Sequence, residues 1–162
     1  MQLDQYVGCG LIKTTEHTSR FGSEETLYVA AVYEHRVILN PRPGVPLRRR
    51  AALEHMEKNL HAFAEQAALA ALQGAHILVF PEDAIHGFNY TRASVASYLE
   101  TVPDPEEVTW SPCADPGRFS NTEVLRRLSC MARKNRLFLV ANMPDRQPCS
   151  LTTQESQTEA QH

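Results

Sequence analysis

His76-Ile77-Leu78-Val79-Phe80-Pro81-Glu82-Asp83 is the stretch on which the reading of this chain turns. Four apolar residues in succession, Ile77 to Phe80, fit a strand covered on both faces. The helical pattern before it stops at Gly74, a common residue just past a helix C-terminus. Pro81 then ends the ladder, because it has no N–H to donate. Glu82 is thereby predicted to stand just beyond the carboxyl end of a buried parallel strand, where open α/β sheets carry their chemistry. A catalytic carboxylate and an ordinary turn acid both fit that place.

Working outward, Leu27 to Tyr33 is rich in β-branched and aromatic residues and reads as the first buried strand. Pro41, Pro43, Gly44 and Pro46 force an irregular connection. From about Leu47 the pattern is helical, with Leu53, Met56, Leu60, Phe63, Ala64, Ala67 and Ala71 at intervals of three and four. Strand, helix and strand make one βαβ unit, so the sheet is predicted to be parallel here. Ala84 to Phe119 is a long excursion, with turn chemistry at Pro103-Asp104-Pro105 and Ser111-Pro112; loops of that length are functional or packed on a partner. Trp110 and Phe119 read as anchors of that loop. Ser120-Asn121-Thr122-Glu123 has the form of a capping box, and Phe119 and Val124 stand at the positions of a hydrophobic staple. A second helix is predicted to follow, with Val124, Leu125, Leu128, Met131 and Ala132 inward, and then a third strand from Leu137 to Ala141. The fold class is α/β, in one domain over residues 27–149. Residues 1–26 are expected to form a loose, disordered arm and residues 150–162 a disordered tail, because both are too polar to offset the entropy of ordering.

The chain has 162 residues, 43% of them hydrophobic, enough for a real core. Its net charge of −3 comes from 16 basic and 19 acidic residues in mixed order, which argues against nucleic acid and anionic membranes as partners. Arg48-Arg49-Arg50 has no interleaved aromatics and is expected to be the solvated first turn of the helix. No apolar run spans a membrane, and the opening 26 residues do not read as a signal peptide, so an intracellular place is one expectation from these residues. The four cysteines, Cys9, Cys113, Cys130 and Cys149, show no CxxC spacing; they permit one disulfide, two or none, and zinc is not expected. His86 near Asp83 lacks a second His or Cys at ligand spacing, so packing is expected there in place of a metal. No Gly-rich loop follows a strand, and no nucleotide cofactor is expected.

Several separated blocks resemble the biotinidase and vanin (pantetheinase) branch of the nitrilase, or carbon-nitrogen hydrolase, superfamily. They are Tyr-Val-Ala-Ala-Val-Tyr-Glu-His at 28–35, Val-Phe-Pro-Glu-Asp-Ala-Ile-His-Gly-Phe-Asn-Tyr-Thr-Arg at 79–92, Asn-Thr-Glu-Val-Leu at 121–125, Arg-Leu-Ser-Cys-Met-Ala at 127–132 and Leu-Val-Ala-Asn at 139–142. Within the branch, His86-Gly87-Phe88-Asn89 and Phe138-Leu139-Val140 look more like the biotinidase side.

The resemblance implies an amidase whose complete form cleaves biocytin or biotinyl peptides with a Glu-Lys-Cys triad, Glu82 falling on the general base. A thiolate attacks the amide carbon, the carboxylate takes the thiol proton and returns one to the departing amine, and an ammonium group stabilises the oxyanion. Held at a strand end, Glu82 is expected to be partly desolvated. The family's lysine and cysteine lie further along than these residues reach, so the expectation is an N-terminal portion, inactive alone. The runner-up is a non-catalytic fragment that acts by binding a partner, or else a pantetheinase (vanin)-like fragment. The nitrilase fold is an α-β-β-α sandwich, of which this chain would supply the first βαβ and a helix-strand of one sheet, leaving a bare face open to self-association. The same resemblance implies an extracellular, secreted protein and a partner for Cys149 further along the family's sequence. Asn89-Tyr90-Thr91 is an N-glycosylation sequon that fits a secreted family, but with no signal peptide read in this chain Asn89 is not expected to be occupied, and Cys113 and Cys130 are candidates to pair in an oxidising compartment.

Overall fold

A computed structural model describes residues 9–14 and 28–147. Four strands form one sheet in the order β1 (Cys9–Thr14), β2 (Tyr28–Tyr33), β3 (Ile77–Val79), β4 (Phe138–Val140). The pairs β2–β3 and β3–β4 are parallel, with Ala31 opposite Leu78 and Leu78 opposite Leu139. The first strand corrects the expectation of a loose arm over residues 1–26: Cys9–Thr14 pairs antiparallel with β2, Cys9 opposite Tyr33 and Thr14 opposite Tyr28. Ladder bonds come from the backbone, so an edge strand can form without the side-chain alternation that a sequence reading looks for. The rest of that arm, the tail and Cys149 lie outside the described residues.

The helix α1 (Arg49–Leu72) buries Ala52, Met56, Leu60, Phe63, Ala67 and Ala70, one stripe at helical spacing. Its end is a Schellman closure: Gly74, at φ 81°, donates to Ala71 O at 3.0 Å and Ala75 N–H to Ala70 O at 3.0 Å. The stripe packs on the inward face of the sheet, where Ala31 and Leu78 are fully buried. Phe63 and Phe80 stack at 3.8 Å, and Tyr33 meets both edge-on. A short helix α2 (Arg92–Val95) lies in the long excursion. The last helix, α3 (Glu123–Asn135), adds Val124, Leu128 and Met131 to the same core.

Among the described residues only one face of the sheet is covered. On the other, Tyr28, Val32, Phe138 and Val140 are 40%, 38%, 76% and 46% exposed, and the alternation of β2, β3 and β4 puts Ala30, Ile77 and Val79 beside them. The described residues therefore form one sheet and one helical layer, consistent with half of an α-β-β-α sandwich. That face corrects the reading of Ile77 to Phe80 as a strand covered on both sides: a continuous apolar run records what a strand is suited to, not what is present to cover it.

The start of α3 departs from the capping-box reading. The N-cap is Thr122, whose hydroxyl donates to Phe119 O at 3.1 Å and caps nothing. The helix is capped from elsewhere in the chain: the carboxylate of Glu100, 1% exposed, accepts from Val124 N at 2.8 Å and Leu125 N at 3.0 Å. Arg49 reaches the same carboxylate at 2.5 Å and Glu123 at 2.6 Å, and donates to Ser97 O at 3.1 Å. Arg49 is thus not the solvated residue that the basic run suggested, whereas the Arg50 side chain is 91% exposed. Since Glu100 also bonds through its backbone to Pro144 O and Arg146 N, the long excursion is tied to α1, α3 and the segment after β4 at one residue. Further along that excursion, Trp110 Nε1 donates to Asp115 O at 2.8 Å and its ring meets Phe119 edge-on at 4.8 Å.

Candidate active site

The carboxyl ends of β2, β3 and β4 lie side by side, because the strands are parallel and in register. The last ladder bond is Phe80 N–H to Val140 O at 2.9 Å, after which Pro81 breaks the pairing and the chain turns through Glu82 to His86. Asp83 sits in the left-handed region at φ 55° and is held on both sides of its backbone. Its N–H donates to Oδ1 of Asn142, just past β4, at 3.2 Å, and its carbonyl accepts from Gly87 N at 2.7 Å. Gly87 itself has φ 88°, and a Cβ there would lie 2.9 Å from Leu39 Cδ2, so the corner is closed where only glycine fits easily. Glu82 stands on this braced turn and is exposed, in place of the desolvated carboxylate expected from its strand-end position. With only one sheet present, nothing among the described residues roofs it.

Behind the corner is a polar group that the sequence reading passed over. Asn59, fully buried on the apolar stripe of α1, donates to Ile38 O at 3.1 Å and Ile85 O at 3.0 Å, and its Oδ1 accepts from Ile38 N at 2.8 Å and His35 Nε2 at 2.9 Å. One side chain thus joins the exit of β2, the turn after β3 and the helix between them. The available signal was phase: an amide in line with Met56, Leu60 and Phe63 has to be satisfied inside the core. Asn142 carried no comparable signal, since its role depends on β4 lying next to β3.

His55 and His86 are 8% and 6% exposed and flank Tyr98, with ring centroids 5.7 and 6.4 Å from it. His55 Nε2 donates to Ile38 O at 2.8 Å, while His86 Nε2 lies 3.6 Å from Asp83 Oδ1. Burial holds both imidazoles below their ordinary value of 6.5, opposed by Ile38 O at His55 and by Asp83 at His86. A folded-state value below the unfolded one means that the unfolded chain binds more protons, so this contribution is complete above pH 6.5 and is lost as pH falls below it. The urea midpoint is therefore expected to drop between pH 7.5 and pH 5.5, and to drop less in His55→Gln. A midpoint rising toward acid, or an unchanged slope in the variant, would contradict this. No group of three or more His, Cys, Asp or Glu suited to a metal occurs among the described residues.

The sequon, the cysteine pair and the two helical lysines lie on other segments. Asn89 is exposed at φ 67°, and Thr91 of its sequon is the N-cap of α2, its hydroxyl accepting from Ser94 N at 3.1 Å. Cys113 and Cys130 are joined to each other, and Lys58 and Lys134 are exposed on α1 and α3.

Comparison with known proteins places this corner in a wider setting. The model of the carbon-nitrogen hydrolase family matches residues 39–158. A biotinidase of Takifugu rubripes is 62% identical over 132 residues, which are 82% of this chain and 26% of that protein. A biotinidase of Homo sapiens is 46% identical over 146 residues, 88% of this chain and 27% of that protein. A pantetheinase of Sus scrofa is 48% identical over 123 residues, 76% of this chain and 24% of that protein. The chain thus spans about a quarter of the length of the curated relatives it matches.

Proposed function

This chain belongs to the carbon-nitrogen hydrolase family, and from that premise we propose that it carries the general base, Glu82, of a biotinidase-type amidohydrolase acting on biotinyl amides. The observation that carries the reading is the bracing of the Pro-Glu-Asp corner by Asn142 and Gly87, which holds an exposed carboxylate just past the carboxyl ends of the parallel strands. A carboxylate so held can take a proton from an attacking thiol, give one to the departing amine and activate the water that releases the acid. Cys113 and Cys130 are consumed in a disulfide and the helical lysines Lys58 and Lys134 are exposed, so on this reading the thiol and the ammonium come from further along the family's sequence. On this reading the 162 residues are expected to be inactive by themselves. Incubation of the purified chain with a biotinyl amide is expected to release no biotin; turnover lost in Glu82→Gln would overturn the statement. An extracellular setting, as the resemblance implies, accords with the disulfide. No helix among the described residues is long and apolar enough to cross a membrane.

The bare sheet face favours a second reading, in which this chain acts by association. Four to seven apolar side chains on one flat face, at about 1.5 to 3 kcal/mol each when fully buried, make water a poor neighbour. Sedimentation at rising concentration is expected to show self-association that Phe138→Lys, at the most exposed of those positions, weakens. A chain that stays monomeric at every concentration would exclude this second reading.

A further inference from the structure

We propose that the Cys113–Cys130 disulfide is a site of exchange with small anionic thiols, which enter the groove between α1 and α3 and form a mixed disulfide at Cys130. The groove encloses about 570 Å³, a size that admits a small-molecule ligand, over an apolar floor that includes Leu53, Leu60 and Val124. Cys130 lines it and Cys113 does not. The backbone N–H of Cys113 is instead tied to Ser129 Oγ at 3.3 Å. A thiolate in the groove therefore approaches the disulfide from the Cys130 side, with Cys113 as the departing side.

The charges on the rim select the kind of thiol. Glu54 is paired with Arg50 at 3.3 Å, Glu57 with Arg127 at 3.1 Å and Glu123 with Arg49 at 2.6 Å. Arg126 also lines the groove, is exposed, and has no ion-pair partner among the described residues. Its guanidinium attracts a carboxylate on the incoming molecule and favours the thiolate form of the attacking sulfur. In the step itself the thiolate forms a bond to Cys130 Sγ as the bond between the two Sγ atoms breaks. The electron pair leaves on Cys113 Sγ, which takes a proton from water. One thiol is consumed and one released, so no oxidant is needed. The excursion over residues 101–122 then loses its covalent tie to α3, but the Glu100 cap and the edge-on contact of Trp110 with Phe119 remain, and the opening stays local.

The test uses the folded chain with Cys9 and Cys149 replaced by serine, exposed briefly to reduced glutathione, quenched by alkylation and mapped by peptide mass spectrometry. Glutathione is expected on Cys130 and the alkyl label on Cys113. Arg126→Gln is expected to slow the exchange with glutathione about two- to five-fold, the worth of one exposed ion pair, and to leave the rate with neutral 2-mercaptoethanol within about 1.5-fold. Glutathione mapped to Cys113, equal slowing for both thiols, or exchange only after the chain unfolds would each overturn the proposal.

Discussion

Replacing Glu82 by glutamine in the full-length polypeptide that carries this segment is expected to lower kcat for a biotinyl amide by about 10² to 10⁴, the usual size of a general-base contribution. The unfolding midpoint should stay where it is, because Glu82 is exposed and makes no contact that supports the turn. The turn is held by backbone groups of Asp83 and by Asn142, and glutamine changes neither. The split between activity and stability makes the test discriminating. An ordinary turn acid would show no effect on either measurement, and a structural residue would show an effect on both. Asn142→Ala should give an intermediate loss of kcat, since it loosens the corner without removing the base. Full activity in Glu82→Gln would end the assignment.

Replacing Glu100 by alanine is expected to cost about 3 to 5 kcal/mol, the range for breaking a buried ion pair from one side. Three groups lose their acceptor at once: the N–H groups of Val124 and Leu125 at the start of α3, and the guanidinium of Arg49. Because the Arg49 side chain is 27% exposed and can still reach Glu123, the loss should fall near the lower end of that range. Complete domains have only about 5 to 15 kcal/mol to spare, and among the described residues nothing covers one sheet face, so the variant is expected to lose its cooperative transition. Glu123→Ala removes the outer partner, whose side chain is 42% exposed, and should cost less than about 1 kcal/mol. Equal urea midpoints for the two variants would refute the view of Glu100 as the joint between the excursion and the helices.

The frame of the molecule was legible because its elements announce themselves locally. The apolar stripe of α1 from Ala52 to Ala70, the closing Gly74, the apolar runs of β2, β3 and β4 and the proline that ends β3 act within a few residues of one another, and periodicity records such effects. The position of Glu82 beyond β3 followed from the same local signals. Its exposure did not, because desolvation depends on what lies above the strand ends.

What stayed hidden was set by partners far apart in sequence. The apparent capping box before α3 gave way to a carboxylate 24 residues upstream, since a buried ionised oxygen near a guanidinium is a stronger acceptor than a hydroxyl in water. Arg49 within a basic run, Asn59 within an apolar stripe and Asn142 past a strand each took their role from neighbours 21 to 74 residues away. Pairing of Cys9–Thr14 was likewise invisible, as backbone ladders are blind to side-chain type. By itself, then, the order of residues determined the α/β frame, the parallel strands and the place of the candidate base. Tertiary structure alone decided which charges are buried, what caps α3 and how the corner is braced, because desolvation and hydrogen bonding depend on distance in space and periodicity reports only distance along the chain.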